Sequence, residues 1–249
     1  MFSPLEQFLI KPIVRINPTN WIDLTISNST VYMLIVTIII VTLLKINKEN
    51  DLIIKQRYGI IITKLYSAIE GIGSEMIREE HKKYIPITIS LFLLILVNNT
   101  LGLIPYSFTV TAHFIITITM SLSIMIGVTI IGVKKYKIRF LTLFIPSGLN
   151  EGNIKYIIPL IFIIELISYL MRIVSLAVRL TANLMSGHTL LKIIANFGLK
   201  YTISIPILLI LPVTLICGVF LLEIGVSIIQ AYVFTLLTIT YIKDTELLH

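Results

Sequence analysis

Long apolar runs, separated by short polar or charged segments, dominate the chain. Three runs cover about 30–44, 85–104 and 113–133, and two longer runs follow at about 156–196 and 203–242. A helix of roughly 20 residues crosses the hydrocarbon core of a bilayer, so each run predicts a membrane-spanning helix. The last two runs are about twice the length of one perpendicular span, so these helices must tilt strongly, kink or extend beyond the lipid.

A charged segment at 45–83 separates the first two spans, and its apolar residues return at helical spacing among the charged ones. This pattern predicts an amphipathic helix on the membrane surface within 50–83. The alternative is an ordinary extramembrane helical hairpin broken at Gly71 and Gly73. We expect a break at 198–200 between the two long helices, with Pro206 and Pro212 as candidate kinks.

These elements predict an all-α polytopic membrane protein with a single membrane domain over residues 1–249. It has three shorter helical spans, one amphipathic surface helix and a C-terminal hairpin of two long, strongly tilted helices. By residue number, the segments are an N-terminal outer segment at 1–29, a first span at 30–44, the amphipathic region at 50–83, a transmembrane hairpin at 85–133 and the long hairpin at 156–242.

The basic residues of the loops predict the orientation. Most of them lie in 45–83 and 134–139, and these segments fall on one side if three spans precede Lys134. Basic loops face the cytoplasm or, in an organelle, the matrix. The N-terminus is therefore expected outside and the C-terminus inside.

Composition agrees with a membrane location. The chain has 249 residues, of which 56% are hydrophobic and 13% charged, and its mean hydropathy is +0.96. A soluble domain carries roughly 25% charged residues. The net charge of +7 does not indicate nucleic-acid binding, because the basic residues stand beside apolar runs rather than in a patch interleaved with aromatic residues. Four scattered histidines and one cysteine predict neither a metal site nor a cofactor.

Arg179 lies inside the fourth apolar run, where a guanidinium costs roughly 3 kcal/mol on insertion scales and cannot shed its proton. Glu165, Arg172 and Arg179 are each seven residues apart, so a helix presents all three on one face. The other polar residues of the two long helices that we expect to act with them are Asn183, His188, Glu223, Ser227, Gln230 and Asp244.

An antiparallel hairpin that turns near residue 205 pairs residues whose numbers add to about 410. Three polar pairings fall at this register: Arg179 with Gln230, His188 with Glu223, and Glu165 with Asp244. A polar pathway through the membrane follows, and protons are the expected cargo, because a histidine passes protons through both ring nitrogens near neutral pH.

Structural interpretations of single residues compete with this pathway. Glu165 and Arg172 could form a structural ion pair, and His188 could be a buried histidine that bonds a carbonyl. His113, at the start of a span, is better explained by an interfacial position. A purely structural role explains Arg179 less well. Its fixed charge blocks direct proton passage and favours the ionised state of an approaching carboxylate. The chain has no spare mobile acid, so a partner subunit is expected to supply it.

Several segments resemble the ATP synthase A chain family, subunit a, which is the membrane stator of the proton-driven rotary motor, in its fungal mitochondrial form. Residues 176–188, which read LAVRLTANLMSGH, are similar to the signature of the family. The other similar segments are ELISYLMR at 165–172, LEI at 222–224, QAYVF at 230–234, YIKD at 241–244, LGLIPY at 101–106 and SPLEQF at 3–8.

The resemblance implies a role for each polar residue. Arg179 corresponds to the essential arginine of the family, which faces the carboxylates of a rotating c-ring. Protons would enter from the intermembrane space through an outer half-channel and leave to the matrix through an inner one. The outer set is His188, Glu223, Asn183 and Gln230, the inner set is Glu165 and Asp244, and Arg172 and Ser227 support them.

The resemblance also implies the location and the partners. The chain would be a multi-pass protein of the mitochondrial inner membrane, with its N-terminus in the intermembrane space and its C-terminus in the matrix. Its partners would be the c-ring, the peripheral stalk and other small membrane subunits, the lipid bilayer, and the proton as transported ion.

Three alternatives remain at this point. A secondary transporter would show paired internal repeats, and none is convincing here. A membrane enzyme would need a nucleophile or a metal cluster. A sodium-driven motor of the same family is the third. No glycine-rich phosphate loop occurs, so this chain is expected to be a non-catalytic subunit whose ATP chemistry sits in other chains.

Overall fold

The structure, a computed structural model, describes residues 4–15, 25–49, 57–76, 83–104, 107–137, 140, 158–202 and 210–246. Six α-helices account for most of these residues. They are α1 (Asn28–Glu49), α2 (Arg57–Met76), α3 (Ile85–Gly102), α4 (Phe114–Tyr136), α5 (Ile158–Thr202) and α6 (Ile210–Glu246). Two 3-10 helices, Pro4–Phe8 and Val110–Ala112, and an antiparallel pair of short strands, β1 (Pro12–Val14) and β2 (Ile26–Ser27), complete the described elements.

The predicted all-α polytopic class is confirmed. Five described helices, α1 and α3 to α6, are long and apolar enough to cross a membrane. At 1.5 Å per residue, the 45 residues of α5 and the 37 of α6 span roughly 67 and 55 Å, well beyond one perpendicular crossing. The position of α2 on the membrane surface and the orientation of the termini stay predictions.

The expected break at 198–200 is wrong, and the alternative of a broken hairpin within α2 is excluded. Helix α5 continues through 198–200 to Thr202, because one glycine costs a helix only about 1 kcal/mol relative to alanine. Gly198 lies against α6, where an added Cβ would stand 3.2 Å from the Cβ of Pro212, so its small size allows close packing. Helix α2 likewise continues through Gly71 and Gly73, which excludes the broken hairpin.

Pro212 lies in the first turn of α6 and does not interrupt the helix. It is the third residue of the helix, and the amide groups of the first turn have no partner inside the helix, so a proline there breaks no hydrogen bond. Pro206, the other candidate kink, and the turn near residue 205 lie outside the described residues.

The α5–α6 hairpin has a packed face and an open face. Helix α4 packs behind α5, α3 packs behind α6, and α1 packs on α3. The core between them is apolar and includes Phe92, Ile95, Val128, Leu176, Leu180, Phe234 and Ile239. The open face exposes Ile163, Ile164 and Ile167 of α5 and Leu221, Leu222, Ile228 and Ile229 of α6. An apolar surface of this extent is typical of contact with lipid or another subunit.

Candidate functional site

His188 of α5 and Glu223 of α6 form the most enclosed polar pair of the hairpin. Their Nε2 and Oε1 atoms are 3.6 Å apart, and their side chains are 14% and 5% exposed. The predicted pairing of these two residues is therefore confirmed. Each polar side chain lies in the interface between α5 and α6, since the two approach each other across it and are largely buried.

Several polar atoms in and next to this pair lack a hydrogen-bond partner in the described part of the chain. They are Nε2 of His188, both carboxyl oxygens of Glu223 and Oγ of Ser227, which follows Glu223 by one helical turn. Buried polar groups in proteins are almost always hydrogen-bonded, to protein or to water. We refer to His188, Glu223 and Ser227 as the polar chamber, a place that is suited to water and to proton exchange.

A second charged cluster lies nearer the N-terminal end of α5. The guanidinium of Arg172 stands 3.8 Å from a carboxyl oxygen of Glu165 and 3.6 Å from one of Asp244. It also lies 5.4 Å from the ring centroid of Tyr241. Glu165 and Asp244 thus share one end of the hairpin, as their predicted pairing requires, but Arg172 stands between them. All three charged side chains are partly exposed, so these ion pairs contribute little to stability.

Arg179 lies between the two clusters, seven residues from Arg172 and nine from His188. These spacings correspond to roughly 10 and 13 Å along the helix. Its side chain is exposed, and it forms no hydrogen bond or ion pair with the residues that the structure describes. It borders a cleft of about 280 Å³ that Ser168, Ser175, Leu237 and Tyr241 also line. A cation in an apolar helix that has no counter-charge among the described residues is available to bind a carboxylate.

The other predicted residues are less sharply placed. Asn183 and Gln230 are both half-buried, on α5 and α6 respectively. No hydrogen bond joins Arg179 to Gln230 among the described residues, so this pairing stays a prediction. His113 stacks on Phe108 with ring centroids 5.1 Å apart, and burial lowers the pKa of its imidazole. These observations show a packed histidine, and its interfacial position stays a prediction.

Gly187 brings the backbone of α5 close to the polar chamber. A Cβ added there would lie 2.7 Å from Oε1 of Glu223 and 2.9 Å from its Cδ. Gly225, two residues beyond Glu223 on α6, has open space where its Cβ would stand. The missing side chain of Gly187 is therefore what lets the Glu223 carboxyl reach His188.

A hydroxyl contact between α4 and α5 is not indicated by the sequence pattern. The hydroxyl oxygens of Thr117 and Thr181 are 2.6 Å apart and buried. Thr181 lies two residues beyond Arg179 on α5. Threonines are common in these helices, and each hydroxyl also lies within hydrogen-bonding distance of a carbonyl of its own helix, to which the one that does not donate across the interface can donate. Periodicity therefore does not distinguish this pair from the exposed threonines. The contact fixes the height of α5, and so of Arg179, against α4.

We expect Thr117→Val to weaken this contact measurably. The variant leaves the Thr181 hydroxyl with its intrahelical carbonyl alone, and an interhelical hydrogen bond in a membrane contributes about 1 kcal/mol. The midpoint of thermal unfolding of the detergent-solubilised protein should fall. Thr119→Val is the control, because the Thr119 hydroxyl is exposed and bonds Ile116 of its own helix. Equal midpoints for the two variants would contradict the prediction.

Comparisons with known proteins identify relatives over the whole chain. The chain matches the family described as ATP synthase A chain over residues 30–243. It is 40% identical over 255 residues to ATP synthase subunit a of Trichophyton rubrum, covering 100% of this chain and 98% of that one. It is 38% identical to the proteins of the same name from Zancudomyces culisetae and Mycosarcoma maydis, each over 252 residues, with coverage of 98% or more of both chains.

Proposed function

This chain belongs to the ATP synthase A chain family, and we propose that its α5–α6 hairpin carries protons through two half-channels separated by Arg179. Family membership makes it the proton-channel stator of the membrane sector, a multi-pass protein of the mitochondrial inner membrane that works against the c-ring. The transporter and enzyme alternatives are therefore set aside. The residue roles below are our proposal.

The observation that carries the proposal is the position of Arg179. It is an exposed cation, it has no ion pair in the described part of the chain, and it lies between two polar clusters. A c-ring carboxylate that comes within about 4 Å gains roughly 4 kcal/mol of attraction at an effective dielectric near 20. That attraction favours release of the proton beside Arg179. The positive charge also prevents protons from crossing directly between the clusters.

In the outer half-channel, the polar chamber delivers protons to the ring. His188 accepts a proton at one ring nitrogen and releases one from the other, and the Glu223 carboxyl accepts it across 3.6 Å, directly or through one water. Asn183 and Gln230, both half-buried, supply amide groups between the chamber and the open face. The buried polar atoms of the chamber support this role, because they need partners that water provides.

In the inner half-channel, Glu165 and Asp244 take the proton that leaves the ring. Their partial exposure supports a wet exit, and Arg172 holds the two carboxylates at one end of the hairpin. The lining of the cleft beside Arg179 includes Arg172 and Tyr241, so it connects this end of the hairpin to the central arginine. Ionised carboxylates at the exit attract protons away from the ring site.

We assign the His188 end to the intermembrane space and the Glu165 end to the matrix. The basic segments at 45–83 and 134–139 support this direction through the positive-inside rule, which puts the N-terminus in the intermembrane space and the C-terminus in the matrix. We further propose that α2 and the exposed face of α1 meet the peripheral stalk and small membrane subunits. The test of the two half-channels is ATP-driven proton pumping by complexes with Arg179→Gln, where loss of pumping in an assembled complex is the expected result.

The close approach at Gly187 provides a finer test. We expect Gly187→Ala to lower the rate of proton-driven ATP synthesis about tenfold, since a displacement near 1 Å of reacting groups has effects of this size or larger. The new methyl group would push the Glu223 carboxyl away from His188, while the helices still assemble. ATP synthesis by energised membranes measures the rate.

Gly225→Ala is the matched control, because it adds the same methyl group to the hairpin where nothing lies within 4 Å. It should keep nearly normal synthesis. If both glycine variants behave alike, the distance between His188 and Glu223 does not limit the proton flow, and the role of the chamber is wrong.

A further inference from the structure

The N-terminal segment is tied to the start of α1 by one side chain. Asn28 donates from Nδ2 to the carbonyl of Leu9 and accepts from the amide of Lys11 at Oδ1, both at 3.2 Å. The amide of Asn28 in turn donates to the carbonyl of Lys11 at 3.1 Å. The pairing of β1 with β2 continues this attachment. The place of the preceding 3-10 helix, Pro4–Phe8, is therefore set by the fold rather than left to a loose terminus.

That 3-10 helix packs on α5 at the polar chamber. The ring of Phe8 meets the imidazole of His188 edge-on, with centroids 6.2 Å apart and planes inclined by 70°. Edge-to-face contacts of this kind favour one orientation of both rings. Oε1 of Glu223 lies 3.6 Å from Nε2 of the same imidazole. The ring of His188 therefore has two neighbours, Phe8 and Glu223.

The contact is selective within the segment. Leu9 and Ile10 are 55% and 54% exposed, whereas Phe8 is half-buried against α5. General burial of apolar residues would not leave the next two side chains outside. Gln7 is also half-buried, and its Nε2 is a buried donor without a hydrogen-bond partner in the described part of the chain, as are the polar atoms of the chamber. Phe8 thus contacts the chamber, and the residue before it carries a buried amide that lacks a described partner.

We propose that the 3-10 helix Pro4–Phe8 forms one wall of the outer half-channel. Phe8 is a positioning residue that holds the ring of His188 toward Glu223, and Gln7 lines the route by which protons reach that ring. This inference rests on the proposed function, and it assigns to the N-terminal segment a part of the proton path that the two long helices do not supply.

The role of Phe8 is tested with Phe8→Ala, Phe8→Tyr and Leu9→Ala in the assembled complex. The readouts are the maximal rate of ATP synthesis and the proton concentration, on the intermembrane-space side, that gives half of it. Phe8→Ala should change this half-maximal proton concentration about threefold or more, the size expected for loss of an aromatic pair. Phe8→Tyr keeps the ring and should restore the normal value, and Leu9→Ala should not change it. Equal values for Phe8→Ala and Leu9→Ala would overturn the positioning role.

The role of Gln7 is tested independently, with a small water-soluble thiol reagent and passive proton conduction as the readout. Gln7→Cys and Leu9→Cys are compared in a Cys217→Ser background, since Cys217 is the single cysteine of the chain and is exposed. Modification should block conduction in the Gln7→Cys complex and leave it unchanged in the Leu9→Cys complex. A Gln7→Cys side chain that resists modification, or is modified without effect, would overturn the lining role.

His188→Ala separates the failure of this inference from the failure of the proposed function. Normal conduction by His188→Ala would remove the outer half-channel itself, and the inference with it. If His188→Ala blocks conduction while the Phe8 and Gln7 variants match their Leu9 controls, the half-channel stands and the N-terminal wall alone is rejected.

Discussion

Replacing Arg179 with glutamine is expected to reduce ATP-driven proton pumping below detection in complexes that still assemble. The side chain is exposed and makes no ion pair with the described residues, so its loss leaves no buried charge unpaired inside this chain. What disappears is the attraction for a ring carboxylate, roughly 4 kcal/mol at 4 Å, which corresponds to about a thousandfold in the balance between its protonated and ionised forms.

Pumping is measured by acidification of inverted membrane vesicles on addition of ATP, with the amount of assembled complex checked on native gels. Arg172→Gln is the matched control, because it removes an arginine two helical turns away on the same face. Arg172 is ion-paired and partly exposed, so its loss should weaken pumping without abolishing it. Arg179→Lys keeps the charge without the planar fork and should retain part of the activity. Nearly normal pumping by Arg179→Gln would refute the separation of the two half-channels.

Glu223→Gln is expected to lower proton-driven ATP synthesis by roughly a hundredfold or more, the usual range for loss of a positioned proton donor or acceptor. Glutamine is close in size to glutamate and can remain beside His188, but it does not exchange protons. The variant therefore tests proton exchange at this position while packing in the α5–α6 interface is kept. The measurement is the initial rate of ATP synthesis at a fixed protonmotive force.

An exchange of the two residues is the matching control. The double variant His188→Glu with Glu223→His keeps one carboxyl and one imidazole at the same pair of positions, which are 3.6 Å apart at their closest polar atoms. It should recover a clear part of the activity that Glu223→Gln lacks. A double variant as inactive as Glu223→Gln, together with normal assembly, would show that the order of the two groups matters and that simple proton exchange within the pair is insufficient.

The pattern of apolar and polar residues along the chain predicted most of the helices and the pairing of the two long ones. Each membrane-crossing helix corresponds to an apolar run, because burial of about 20 consecutive apolar residues in lipid depends on composition and length alone. The seven-residue spacing of Glu165, Arg172 and Arg179 placed them on one face, because helical geometry fixes that relation. The antiparallel register predicted His188 beside Glu223, since two straight helices joined by a short turn leave few alternative alignments.

Predictions from single residues are wrong where packing decides whether a helix continues or which partner a side chain meets. Glycine at 198 and at 71 and 73 suggested breaks, yet α5 and α2 continue through them, because a glycine lowers helix stability by an amount that neighbouring contacts offset. The expected direct pairing of Glu165 with Asp244 became two ion pairs to one guanidinium. Long side chains reach several partners across an interface, so the residue spacing does not determine which one they meet.

The sequence by itself determined the family, the number of apolar spans and the polar faces of the two long helices, because these depend on periodicity within each helix. The tertiary structure decided two contacts between distant segments, the hydroxyls of Thr117 and Thr181 and the ring of Phe8 against His188, and it left Arg179 exposed. Such contacts depend on how helices tilt and pack in three dimensions, and no pattern within one helix specifies that.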